Sequence, residues 1–278
     1  MSATPLENPL TYRPRAPLSD FVEMLWLYES LSAPQGRERL LPDGSTELII
    51  ELRGQSFRIS DGEDYDDLRS FRDGVVIGVH SKSFAMETSG PSTVIGAHFK
   101  PGGIYPFLKA PASELHGAVA PFDFEWGRRA HDLRERLLEA ATPADKFDLL
   151  ERFLLSEVTR PLTWHPAVMF ALSQFREGTS VAKVSEVVDR TGYSHRRFNE
   201  LFRERVGLTP KRHHRLARFQ EVLRGVEKAQ DVDWAGLALD CGYFDQAHLI
   251  HEFREFSGMA PTAYLADRGL RSHHVPLR

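Results

Sequence analysis

The 278-residue chain has one cysteine, Cys241, so it forms neither an internal disulfide nor an all-cysteine metal cage. No stretch approaches the ~20 consecutive apolar residues of a membrane span. The first twenty residues contain Pro5, Pro9, Pro14 and Pro17 but no basic patch followed by an apolar block, so no secretory signal is read and a soluble cytoplasmic protein is expected. No phosphate loop, nucleophile-base triad or paired-carboxylate pattern is present, so no catalytic residue and no cofactor is assigned. Charge of one sign is also scarce: the formal net charge is -4, which for the whole chain argues against an obvious nucleic-acid binder. A composition of 41% hydrophobic and 27% charged residues is globular, and the length has room for two domains of ~100–200 residues.

The average hides an asymmetry. Residues 1–165 carry 18 Lys+Arg against 25 Asp+Glu, a net -7, while residues 166–278 carry 17 against 14, a net +3. Between Ser194 and Arg218 there are 8 basic residues, with only Glu200 and Glu204 opposing them and three histidines besides. An acidic front half precedes a basic back half.

The front half reads as short strands. A Pro-Asp-Gly turn at Pro42 to Gly44 feeds the apolar run Leu48 to Leu52, followed by SFRI, by Gly74 to Ser81 and by Ser92 to Phe99. A small antiparallel sheet or barrel, cupin-like in one version, is the economical assembly. Asp61 to Asp67 reads as a solvated loop. From Trp126 the period changes to helical, with Leu133, Leu137, Leu138, Phe147, Leu150, Phe153 and Leu154 at spacings of three and four, and everything downstream reads as helix. Pro161 and Pro166 mark the boundary between a front domain, 1–165, and a helical back domain, 166–278, expected to fold by itself.

The back half repeats. GYSHRRFNELFRERVGLTP from Gly192 matches GYFDQAHLIHEFREFSGMAP from Gly242; the Gly-Tyr pairs lie 50 apart, but Gly207 and Gly258 lie 51 apart, so the second copy holds one extra residue. Each unit is helix, glycine turn, helix. In the first, Ala182, Val184, Val187 and Val188 pack inward, Ser194 caps the second helix, and Phe198, Leu201 and Phe202 are buried. In the second, Leu237 and Ala238 pack, Asp245 caps, and Leu249, Phe253 and Phe256 face inward, with Ala247 and Ile250 on or near the outer face. Pro210 opens a connecting helix of about 17 residues, roughly 25 Å long, short of the ~34 Å duplex repeat, which points to bent DNA. Two such units with polar second helices match the way helix-turn-helix proteins present recognition helices to a major groove.

The pattern GY-S-x-x-x-F-x-x-L-F-x-x-x-x-G-x-T-P, the linker RLARFQEVL, and the DQAHL and G-x-x-P-x-x-Y of the second unit resemble the DNA-binding domain of AraC/XylS-type transcriptional regulators over residues 166–267. Leu265 departs from it, since a basic residue often follows the tyrosine. Upstream, LPDGSTELII, GAHFKPGGIYPFL and SELHG resemble the uncharacterised N-terminal domain of a subset of these regulators, which brings no known ligand.

The resemblance implies a sequence-specific regulator that inserts two recognition helices into successive major grooves of double-stranded DNA at a promoter or operator. Its base readers are expected at Arg196, Asn199 and Glu200 and at Gln246, His248 and His251; arginine bridges guanine, asparagine and glutamine pair with adenine, and glutamate accepts from cytosine. Arg197, Arg203, Lys211 and Arg212 are phosphate candidates. The front domain is expected to sense a small-molecule effector or to dimerise, with RNA polymerase a further partner and the chain a monomer or homodimer. The alternative is an enzyme in the front barrel, metal-dependent through His80, His98 and Glu47. Against it, neither histidine shows a close His-x-His pair, so no metal is assigned, and His213, His214, His273 and His274 are read as non-ligands. Cys241 reads as a small core residue. Trp26, Phe84, Phe99, Tyr105 and Phe107 either line a pocket or, for most of them, form core.

Overall fold

The computed structural model describes residues 9–30, 36–60, 64–88, 90–176, 183–229, 231–268 and 272–277. Ten strands come first: β1 (Leu10–Tyr12), β2 (Val22–Ser30), β3 (Gly36–Leu40), β4 (Thr46–Glu51), β5 (Ser56–Ser60), β6 (Leu68–Arg72), β7 (Gly74–Ile77), β8 (Phe84–Thr88), β9 (Ser92–Phe99) and β10 (Val119–Pro121). Helices α1 (Asp123–Trp126), α2 (Arg128–Glu139) and α3 (Pro143–Ser156) follow. The helical half has α4 (Pro166–Arg176), α5 (Val184–Arg190), α6 (His195–Val206), α7 (Pro210–Lys228), α8 (Trp234–Asp240), α9 (Gln246–Ser257) and α10 (Pro261–Asp267), and a last strand, β11 (His274–Leu277).

The strands form two antiparallel sheets in the orders β1-β2-β9-β4-β7-β10 and β11-β3-β8-β5-β6. The chain crosses between them at Asp73, whose φ of 64° is tolerated by a short polar side chain, and Gly74, where a Cβ would lie 2.5 Å from the Ile49 carbonyl oxygen. Both faces of the first sheet are covered. On β2, Leu25 and Leu27 point to α2 and α3, joining Leu133, Leu137, Phe147, Leu150 and Leu154 in one core, while Trp26 and Tyr28 point to the second sheet with Ile49, Phe57, Phe84 and Val94. That double burial explains the near-continuous apolar runs in β4 and β9.

Several expectations change here. Leu138 is exposed, because the apolar stripe of α2 ends at Leu137. Phe99 and Phe107 are core, with ring centroids 5.7 Å apart, but Trp26 and Phe84 line a cavity, and the Tyr105 hydroxyl donates to Glu204 of α6. Ile250 packs on the second unit's core instead of facing out. Ala182 and part of the Asp61–Asp67 stretch lie outside the described residues; within it Asp66 pairs with Arg37 at 2.6 Å.

The expectation that everything after Trp126 is helical fails at the end: β11 pairs antiparallel with β3, Val275 opposite Arg39. The helical half therefore shares structure with the front half. The α4–α6 unit has its own core of Val168, Phe175, Val188, Phe198 and Phe202, but the core of α7–α10 takes in Leu41 and Val79 from the front together with Val275.

Candidate nucleic-acid interface and inter-sheet cavity

The two predicted units superpose in logic. Gly192 and Gly242 take φ of 76° and 73° in the turns, which a side chain would strain. The Ser194 hydroxyl accepts from Arg197 N, and the Asp245 carboxylate accepts from His248 N at 2.7 Å, so each second helix starts on a side-chain cap. α6 and α9 are both 12 residues long and both stop at a left-handed glycine, Gly207 or Gly258. The extra residue of the second unit is Phe244, directly before the cap and 85% exposed. α7 joins the units over 19 residues, about 28 Å at 1.5 Å per residue, slightly longer than the sequence reading.

The early turns of α6 and α9 face solvent. Arg196, Arg197, Asn199 and Glu200 are exposed on α6, as are Gln246 and His251 on α9. Arg196 Nε lies 3.2 Å from Glu200 Oε1, and Arg197 reaches the same carboxylate at 3.6 Å, weak pairs on an exposed face. His248 is half-buried, packed edge-on against Tyr243 with Nε2 3.4 Å from Glu252. Among the phosphate candidates, Lys211 and Arg203 are exposed. Arg212 is not presented in the same way: it donates to Glu255 at 2.7 Å and to the Ser81 carbonyl at 3.1 Å, because the first turn of α7 rests on the front domain. Arg203 and Arg212 share a cleft of about 510 Å³ with Lys82, His116 and Thr209, between the two halves.

Behind this face, the buried Glu252 and the half-buried Glu255 order the arginines of α7. Glu252 accepts from Arg215 at 2.7 Å and Arg218 at 2.9 Å, and Arg215 also pairs with Glu255. Part of the basic stretch therefore locks α9 onto α7, a role the charge count alone did not reveal.

Between the two sheets, beside α7 and the C-terminal tail, lies a cavity of about 570 Å³ that is partly open to solvent. Its apolar lining includes Trp26, Tyr28, Phe57, Phe84 and Met86, and its polar lining Asp43, Glu47, His98, His273 and His274. Gly96 makes room for it: a Cβ there would lie 2.4 Å from the Trp26 ring opposite it in the ladder. The Trp26 indole N–H donates to Glu47 at 2.9 Å. His98 stands between two carboxylates, 3.6 Å from Asp43 and 3.9 Å from Glu47. Burial opposes its charge but is outweighed by Glu47 and then Asp43, which hold the ring up at about 9; Asp43, despite burial, is held below the usual range by His98.

The sequence reading missed most of this. His80 and His98 were paired as metal candidates, but His80 Nδ1 bonds to the Gly78 carbonyl at 2.7 Å and His98 stands at ion-pair distance from Asp43 and Glu47 instead. Among the described residues no group of three or more His, Cys, Asp or Glu side chains is arranged to hold a metal ion. His273 and His274 reach the cavity only because β11 pairs with a strand more than 230 residues earlier, and no local signal marks that.

No protein of curated function matches the chain in sequence. Residues 10–121 match the domain of unknown function DUF6597, and residues 187–267 match a helix-turn-helix domain. Among solved structures, ToxT from Vibrio cholerae is similar at 10% identity and a TM-score of 0.48 over 87% of this chain and 97% of that one. ToxT bound to (E)-4-(8-methylnaphthalen-1-yl)but-3-enoic acid is similar at 12% identity and a TM-score of 0.46 over 87% of this chain and 97% of that one. An AraC-type DNA-binding domain-containing regulator from Chromobacterium violaceum is similar at 18% identity and a TM-score of 0.34 over 38% of this chain and 94% of that one. No helix among the described residues is long and apolar enough to cross a membrane. The chain thus joins a helix-turn-helix domain at residues 187–267 to the domain of unknown function on its N-terminal side.

Proposed function

We propose that the chain is a cytoplasmic protein that reads a promoter or operator by inserting α6 and α9 into successive major grooves, and that the cavity between its sheets controls this binding as a small-molecule sensor. The observation that supports the first part is the equivalence of two capped 12-residue helices with exposed early turns, joined by one helix. Arg196, Asn199, Gln246 and His251 are the proposed base readers, with Glu200 released from its arginines on binding and His248 turning out from Tyr243. Arg197, Arg203 and Lys211 hold phosphates, and Arg212 joins them only if its Glu255 contact opens. The second part is supported by the tail. Ser272, His273 and His274 wall the cavity, while His273 Nε2 bonds to Gln220 of α7 at 2.6 Å and the Tyr264 hydroxyl of α10 donates to the Ser272 carbonyl at 3.0 Å. In this reading the chain is not an enzyme.

The test is binding of the full-length protein to genomic fragments, followed by titration on the selected site. Arg196→Ala should cost ~1–3 kcal/mol on that site and relax preference at one base pair, while Lys211→Ala should weaken all sequences about equally and flatten the salt dependence by one phosphate contact, a log-log slope of roughly 0.9. An Arg196→Ala loss of equal size on cognate and random DNA removes it as a base reader.

A further inference from the structure

The lining of the inter-sheet cavity is chemically one-sided. Asp43, Glu47 and, at the exposed rim, Glu227 bring three carboxylates to it, whereas the described lining residues include no lysine and no arginine. The cation within it, His98, has a carboxylate on each side: Nε2 faces Asp43 and Nδ1 faces Glu47. Each ring nitrogen thus already faces a carboxylate at ion-pair distance, and an entering anion would meet both carboxylates. Asp43 is fixed in turn, accepting from the Ser45 hydroxyl at 2.6 Å and the Ser45 backbone N–H at 2.8 Å.

With His98 protonated, the inner group of two carboxylates and one imidazolium keeps one excess negative charge, beside the faces of Trp26, Phe57 and Phe84. A partly desolvated excess charge favours a partner of opposite sign, and aromatic faces attract cations. The volume of about 570 Å³ falls among cavities that enclose small molecules.

We propose that this cavity binds an organic cation, a protonated amine on an aromatic or aliphatic body, with its ammonium group against Glu47 and Asp43 and its body between Trp26, Phe57 and Phe84. The inference rests on the reading of the cavity as the controlling site and adds the class of molecule that enters it. A carboxylic acid of the same shape is the class it excludes.

Three probes with one ring system decide it: tryptamine, tryptophol and indole-3-acetate, titrated calorimetrically into the full-length protein near neutral pH. Tryptamine should bind tightest, at least tenfold above indole-3-acetate, and Glu47→Gln, which keeps an acceptor for Trp26, should bring the amine within about threefold of the alcohol. Should Glu47→Gln fail to fold, the wild-type order decides alone. Indole-3-acetate or tryptophol binding as tightly as tryptamine, or no binding of any of the three at millimolar concentration, overturns the proposal. The same preparation is tested on its DNA site. Protein that binds DNA but orders the probes wrongly loses the cation and keeps the regulator; protein that takes tryptamine but shifts no DNA keeps the cation and loses the regulator.

Discussion

Replacing His98 by glutamine should erase one limb of the protein's pH-stability curve. The folded ring is held at about 9, above the ordinary 6.5, so between those values the folded chain binds a proton that the unfolded chain releases. That stability is fully present below pH 6.5 and is lost as the pH rises through 9. The difference corresponds to about 3 kcal/mol, and since the side chain is 25% exposed, about 2 kcal/mol is the figure to expect after solvent screening. His213 has the opposite sign: burial among Phe175 and Phe202, with His214 adding, pushes it down to about 4, so its stability is present above pH 6.5 and lost as the pH falls toward 4. His214, His273, His116 and His165 are also lowered, chiefly by burial, and crowd the acid limb. Cys241, raised to about 11 by burial first and then Glu221, acts above pH 9. Lys146 of α3, lowered chiefly by burial, also acts on the alkaline side, so it is the comparison of wild type with His98→Gln that isolates the ring between 6.5 and 9. Urea midpoints for the front domain, read at several pH values, should fall across this window in the wild type and stay level in His98→Gln, with the ring's proton NMR signal titrating near 9. A ring that titrates at or below 6.5, or an alkaline limb unchanged by the substitution, refutes the carboxylate clamp.

The packing makes two further predictions. Phe202 and Phe253 are both fully buried, so alanine at either should cost ~3–5 kcal/mol, but hydrogen exchange should place the loss in α4–α6 for Phe202→Ala and in α8–α10 with β11 for Phe253→Ala; lost DNA binding with unchanged stability would instead put these rings on DNA. Removing residues 272–278 takes away buried Val275, worth about 1.5–3 kcal/mol, and one cavity wall, so the second unit should melt earlier while the first is unchanged; a single unaltered transition in calorimetry refutes a structural role for the tail.

How much of this was legible depended on whether the signal was local. The two helix-turn-helix units were readable because caps, glycine turns and inward phenylalanines repeat within a few dozen residues, and Gly192, Ser194, Gly242 and Asp245 stand where their local chemistry requires. β4, β5, β7 and β9 were visible as apolar runs, but β2, whose Trp26 forms part of the cavity, was passed over, and β3 with its sequence GRERL has no apolar pattern at all. The cavity depends on register: Trp26 faces Gly96 and Glu47 faces His98 only after β9 lies between β2 and β4. Arg212 shows the same limit in the helical half, since its charge suggested phosphate while its position gives it to Glu255 and Ser81.

The stretch between β7 and β8 ties these parts together. Val79 packs so closely on Gly207, at the end of α6, that a Cβ there would lie 2.5 Å from its methyl group. The Ser81 carbonyl accepts from Arg212 of α7, and Ser83 N donates to the Phe256 carbonyl near the end of α9 at 2.8 Å. Five consecutive residues thus touch the ends of α6 and α9 and the helix between them, and His80 within the same stretch lines the cavity with its ring 4.4 Å from that of Phe84. α6 and α9 each meet the front half at their C-terminal ends, while the outer faces of their early turns are exposed to solvent. The spacing of the two helices is therefore a property of the whole chain. Residues 166–278 alone would lack Leu41, Val79 and the partner strand of β11, so the expectation that this segment folds by itself holds better for the first unit, whose core is its own, than for the second.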